Sequence, residues 1–196
     1  MTADNPDDAT TYAYRPSVLG ATWSFRLTPD GIVWDAGRRS GRVAYGDVAR
    51  VRMSFRPATL QSQRFLTEIW SRDGTKLRIL SSSWKSMVEQ TRLDDSYCAF
   101  VTALHGRLQA AGACCDYVSG ASPFLYWLGL ATFVATSLVI AALIVRVLQA
   151  GATGAALLIA GFLAGFLWQA GGYFRRNRPG RYSPDALPHH QLPARR

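Results

Sequence analysis

Apolar and polar positions divide the chain into two regimes. No charged residue lies between Phe124 and Val145, and a second uncharged run, Leu148 to Phe174, begins two residues after Arg146. At about 1.5 Å of rise per residue, each run is long enough as a helix to cross a hydrocarbon core of roughly 30 Å. The pattern predicts two transmembrane helices, at 124–145 and 148–174, followed by a basic, proline-rich tail at 175–196.

Ahead of this hairpin the period is two. Trp23-Ser-Phe25-Arg-Leu27-Thr alternates apolar with polar, as a half-buried strand does. Pro29-Asp30-Gly31 is a turn, with Ile32–Trp34 resuming as a strand. Gly37–Gly41 is a loop, and Arg42–Tyr45 and Arg50–Phe55 are further strands. After a polar break at Pro57–Gln63, Arg64–Ser71 and Thr75–Leu80 pair as a hairpin around Asp73-Gly74.

The period then lengthens. Ser86 and Glu89 have capping-box spacing. Asp94 or Asp95 is positioned to cap a helix running to about Ala111, with Tyr97, Phe100, Val101, Leu104 and Leu108 as its apolar stripe and Gly112 as its stop. The expected fold is α+β, mainly β: an antiparallel sandwich or barrel over 14–113 closed by a C-terminal helix, then the hairpin. Residues 1–13, polar and acidic, are expected to be a disordered lead-in without a secretory signal.

Leu27-Thr-Pro-Asp-Gly31-Ile32 and Val43-Ala-Tyr45-Gly-Asp47-Val48-Ala-Arg50-Val51 resemble the strand–turn–strand opening of bacterial PH-like domains. The resemblance covers about Tyr14 to Ala113, with the helices following the domain rather than preceding it. It implies a small β-domain beside a membrane and carries no catalytic residues to transfer.

Charge gives the topology. The chain has 22 Lys/Arg against 13 Asp/Glu, and the excess is concentrated behind the second apolar run. Arg175, Arg176, Arg178 and Arg181 follow that run, whereas only Arg146 separates the two. The positive-inside rule puts the tail in the cytoplasm, and two crossings put the leading domain there too. Trp127, with Phe124 and Tyr126, opens the first span, and Trp168, with Tyr173 and Phe174, closes the second, both suited to one headgroup zone. The expected location is a bacterial inner membrane, with both termini cytoplasmic.

Gly154, Gly161, Gly165 and Gly172 fall within roughly 20° of one direction on a helix of about 100° per residue. Such a stripe lets two backbones approach closely, either within the hairpin or between copies of the chain.

Several motifs have plainer readings. Ser82-Ser-Trp-Lys85 has the spacing of an acylating serine and its base, but no companion motif follows, and capping or turn-making explains the serines. Arg38, Arg39, Arg42, Arg50, Arg52 and Arg56 are dense around one hairpin, whose loops suit phosphates or anionic headgroups, with Arg38, Arg39 and Arg42 as the candidate contacts for anionic lipid, set against a plain solvated face. Gly37–Gly41 lacks the ending of a phosphate loop. Three cysteines, Cys98, Cys114 and Cys115, lack metal-ligand spacing. His189-His190 makes a poor metal site, and His105 reads as solvated or satisfied on its helix. The tail has too many prolines to fold alone and is expected either along the membrane or docked on the domain.

These readings converge on a non-enzymatic, membrane-embedded domain that binds a protein partner or a second copy of itself, with lipid sensing or membership of a larger membrane complex as rivals. No cofactor, metal, nucleic acid or small-molecule substrate is expected.

Overall fold

The computed structural model describes residues 10–56, 63–85, 89–188 and 191–193. The expected capping box at Ser86 and most of the break after Arg56 lie outside them, as do His189 and His190. The chain divides into two compact units, Met1–Ser119 with Gly180–Arg196, and Gly120–Pro179.

The first unit holds two main sheets. Strands β1 (Thr11–Tyr14), β2 (Trp23–Leu27), β3 (Gly31–Asp35) and β4 (Ser40–Ala44) form an antiparallel sheet in chain order. A 3-10 turn at Tyr45–Asp47 leads into β5 (Val48–Phe55), followed by β6 (Phe65–Ser71) and β7 (Lys76–Leu80). Strands β8 (Ser82–Trp84) and β9 (Gln90–Arg92) form a separate ribbon before helix α1 (Asp94–Ala110). Beyond α1, β10 (Asp116–Ser119) joins the edge of β5, and β11 (Gly180–Arg181) joins β10.

The alternation seen in the sequence is the burial pattern. Tyr12, Tyr14, Phe25, Leu27, Ile32 and Val43 of the first sheet face Val51, Met53, Phe65, Ile69, Leu77 and Ile79 of the second. The predicted stripe of α1, from Tyr97 to Leu108, completes this single core. Gly112 ends α1 as expected: its N–H donates to Gln109 O at 2.9 Å and that of Ala113 to Leu108 O at 3.0 Å, a Schellman pair. The start differs. Leu93, not an aspartate, occupies the N-cap, and Asp94 and Asp95 sit in the first turn, where the helix dipole favours carboxylates.

Three further features depart from the expected sandwich or barrel. The second sheet is mixed, because β10 runs parallel to β5 after the crossover that α1 supplies. The two sheets do not close into a barrel. Instead, the Tyr12 and Tyr14 hydroxyls donate to the Leu80 and Arg78 carbonyls of edge strand β7, at 2.5 and 2.6 Å. Finally, Thr11 already belongs to β1, inside the segment expected to be a lead-in.

The second unit is a pair of helices, α2 (Pro123–Gln149) and α3 (Thr153–Arg176), each long and apolar enough to cross a membrane. Gly151, at φ 78°, closes α2 with the same Schellman geometry, so α3 starts at Thr153 rather than Leu148.

Candidate functional site

The chain leaves and rejoins the first unit at one place. Ser119 on β10 is the cross-strand partner of Gly180 on β11, so the two-helix segment is an insertion between neighbouring antiparallel strands. From Gly180 on, the described residues of the proline-rich tail belong to the β-domain, the second of the two placements open from sequence. Tyr182 N donates to Tyr117 O at 3.2 Å. Leu187 and Leu192 pack against the core, and Gln191 is buried. Gln109 and Asp185 are hydrogen-bonded, and the Cys98 thiol lies 3.8 Å from Pro193 O.

His105 organises this docking. It is 1 % exposed, with Nδ1 2.7 Å from Val101 O and Nε2 2.8 Å from the Tyr182 hydroxyl. The carbonyl can only accept, so Nδ1 carries the proton and Nε2 accepts from Tyr182. The Tyr117 and Tyr182 rings lie at 5.6 and 5.7 Å from the imidazole. Burial pushes the His105 pKa down and the phenols of both tyrosines up, so all three are neutral at pH 7. Of the two sequence readings of His105, the satisfied one holds.

The candidate arginines are not gathered into one cradle. Arg38 and Arg39 are exposed in the β3–β4 turn, where Asp35 Oδ1 accepts from Gly37 N at 2.7 Å. Arg42 lies on the outer face of β4, paired with Asp30 at 2.9 Å, both side chains being solvated. Such a pair contributes little to stability, but it lowers the net charge Arg42 offers to an anion.

A second basic cluster, of which sequence reading singled out only Arg52, covers the outer face of β5–β7. Arg52 and Lys76 stand 5.1 and 4.5 Å from the Trp70 ring centre. Beneath them Glu68 is buried, with Lys76 at 2.7 Å and Arg78 at 3.6 Å. Glu68 is a single acid between alternating basic positions, and the signal was the register Arg52↔Glu68↔Arg78, which only strand pairing reveals. Burial is the larger influence on Arg52, lowering its pKa against the attraction of Glu68.

The remaining motifs lie apart. The buried Ser82 hydroxyl has no hydrogen-bond partner among the described residues, while Lys85 is exposed and pairs with Glu89 at 3.3 Å. Cys114 is exposed at the α1–β10 connection, and burial raises the pKa of the Cys115 thiol.

In the second unit, the helices meet along a seam that sequence reading did not single out. Its members on α3 include Ala156, Ile159, Ala160, Leu163, Ala170 and Phe174, all among the less exposed positions of that helix. On α2 they include Tyr126, Gly129, Phe133, Ser137, Ile140 and Ile144. Their spacing alternates mainly between three and four, as in left-handed antiparallel pairs. Phe133 packs on Phe166 at 5.1 Å and on Phe174 at 5.3 Å between ring centres. Gly154, Gly161, Gly165 and Gly172 lie roughly 160–200° away around α3, and a Cβ added at any of them meets nothing within 4 Å. The glycine stripe therefore faces away from α2. Trp127 and Trp168 are exposed on their helices, and Arg175 and Arg176 end α3 just before Arg178.

Comparison with protein-family models, with curated proteins and with solved structures gives no match to this chain.

Proposed function

We propose that this protein is a non-enzymatic, two-span membrane protein that presents a PH-like domain at the cytoplasmic face of a bacterial inner membrane, for interaction with a protein partner. One observation carries the reading most: the Ser119–Gly180 pairing, which makes the helix pair an insertion in a folded domain. Strands joined in one sheet lie on one side of a bilayer, so the inserted segment crosses an even number of times. Two helices of suitable length and apolarity satisfy this. The arginines Arg175, Arg176 and Arg178 favour the cytoplasm for that side. The PH-like reading draws on two facing sheets closed by one helix, as the Leu27–Ile32 and Val43–Val51 segments suggested. Tethering raises the domain's effective concentration near other membrane components.

The test is proximity labelling with a ligase fused to the C-terminus. The expected result is a reproducible set of membrane-associated neighbours, lost when residues 120–179 are replaced by a short turn. An identical set in both forms would contradict a role that depends on tethering.

A second reading, a subunit of a larger membrane assembly, is favoured by the bare glycine stripe of α3, where a Cβ added at each position meets nothing within 4 Å among the described residues. The lipid-responsive alternative through Arg38, Arg39 and Arg42 draws on their exposure alone.

A further inference from the structure

The two ends of the second sheet differ in whether their cations have carboxylate neighbours among the described residues. At one end lie Asp47 before β5, Asp73 between β6 and β7, and Asp116 at the start of β10, with cations beside them: Arg72 next to Asp73, and Arg50 paired with Asp116 at 3.5 Å. At the other end lie Arg56, just after β5, and Arg64, just before β6. No Asp or Glu occurs anywhere between Val48 and Thr67.

The two arginines are held together by the backbone. Arg56 N donates to Arg64 O at 2.8 Å, and Arg64 Nε donates to Arg56 O at 3.2 Å. Arg56 is exposed and Arg64 half-buried, and neither forms an ion pair with a carboxylate among the described residues. Burial, and next the charge of Arg56, push the Arg64 pKa down. Like charges placed on paired residues repel. An anion close to both would relieve that repulsion, and among the described residues no ion-paired carboxylate does so.

The direction of the strands indicates where an anion could come from. β10 is parallel to β5, with Asp116 beside Arg50 and Ser119 beside Met53. The arginine end of the sheet is therefore the end at which β10 finishes and β11 begins. Only Gly120, Ala121 and Ser122 separate Ser119 from α2. The charge-balanced end of the sheet is the opposite one. Arg181 on β11 adds to the positive end. By contrast, Arg42 in the β3–β4 hairpin already has Asp30 as its counter-ion.

We infer that the Arg56–Arg64 end of the second sheet docks on anionic phospholipid headgroups of the bilayer that holds α2 and α3. The inference rests on the reading of those helices as membrane spans. Its sequence signature is two arginines flanking an acid-free stretch, and their meeting depends on the β5–β6 register.

The full-length protein is reconstituted in nanodiscs of phosphatidylcholine alone or with added phosphatidylglycerol, and amide exchange is followed peptide by peptide. Stable incorporation into neutral discs tests the spanning reading by itself. Adding phosphatidylglycerol is expected to slow exchange at residues 53–56 and 64–67 severalfold in the wild type and in Arg38→Gln/Arg39→Gln, but not in Arg56→Gln/Arg64→Gln. Exchange in the core strands reports whether each variant folds. In the wild type, raised salt is expected to erase the slowing, because exposed charges are screened beyond about 10 Å at 0.1 M. Equal exchange in the two lipid compositions overturns the inference. So does a lipid effect that survives in Arg56→Gln/Arg64→Gln, or one abolished only by the Arg38/Arg39 substitutions.

Discussion

The hydroxyl of Tyr182 donates to Nε2 of His105, tying the segment after the second long helix to the helix before the first. The two residues are far apart in sequence, yet their rings lie 5.7 Å apart. This contact sits beside the β10–β11 pair and makes the C-terminal tail a structural part of the domain.

Tyr182→Phe keeps the ring and deletes the donor, leaving Nε2 of a buried imidazole without its partner. A loss of about 1–3 kcal/mol is expected, read as a lowered unfolding midpoint of the domain. Removing residues 180–193 also strips away Tyr182, Leu187 and Leu192, which pack against the core, and should cost about 3 kcal/mol or more. Limited proteolysis would then cut within α1 or β10 at protease levels that the full chain resists.

His105 gives the domain a pH dependence of definite sign. Its folded pKa lies below the ordinary value of 6.5, so between the two the unfolded state binds more protons. Its contribution to stability is complete above about pH 6.5 and is lost as pH falls through the window beneath. The groups around it, Tyr117 and Tyr182, have phenol pKa values pushed up by burial and stay neutral throughout. Denaturant titrations at descending pH should show a steeper loss in the wild type than in His105→Gln. Parallel slopes would remove His105 from the account.

The phenols of Tyr12 and Tyr14 link two sheets that do not otherwise close on each other. Each forms a hydrogen bond to a carbonyl of β7, and burial raises both pKa values. Tyr12→Phe and Tyr14→Phe should each cost about 1 kcal/mol. Amide exchange should rise in β7 and β1 more than in β5, which sits between β10 and β6.

Local periods made much of this architecture legible. Trp23–Leu27, the Asp73-Gly74 turn and the Tyr97–Leu108 stripe are signals complete within a few residues, and each became the expected element. What stayed hidden depends on partners distant in sequence. Asp116–Ser119 and Gly180–Arg181 are too short to announce themselves as strands, and they pair across the whole two-helix insertion. Thr11–Tyr14 alternates, but beside an acidic lead its Thr-Tyr-Ala-Tyr pattern is too brief to weigh. The glycines of α3 were conspicuous by composition, whereas the seam with α2 uses Ala, Leu and Phe positions that any apolar helix contains. Among the arginines, the sequence shows density, but only the strand register shows which have counter-ions.

Phe133 and the glycine stripe separate two kinds of helix packing. Phe133→Ala removes a ring lodged between Phe166 and Phe174 and should loosen the α2–α3 pair. Gly161→Leu/Gly165→Leu leaves the seam untouched and should alter only association with other helices. After purification in mild detergent, the double variant is expected to lose a co-purifying protein or a second copy while keeping the α2–α3 pair intact. An unchanged assembly would leave the stripe without a role in recognition.

The insertion itself can be removed. Because Ser119 and Gly180 are cross-strand partners, an Asn-Gly turn in place of residues 120–179 should close a β10–β11 hairpin. The product is expected to be a soluble, cooperatively folding domain, whereas a chain ending at Ser119 should aggregate. Equal behaviour of the two would show that β11 and the tail contribute nothing.

The most direct test of the central claim is the side of the membrane on which three points lie. Single cysteines, Cys114 alone or introduced as Gln149→Cys or Ser183→Cys in a background lacking the other thiols, are treated in intact cells with a membrane-impermeant maleimide. The account predicts modification of Gln149→Cys, at the C-terminal end of α2, from outside, and of Cys114 and Ser183→Cys only after lysis. Labelling of Cys114 and Ser183→Cys on opposite sides, or of all three positions on one side, would contradict it.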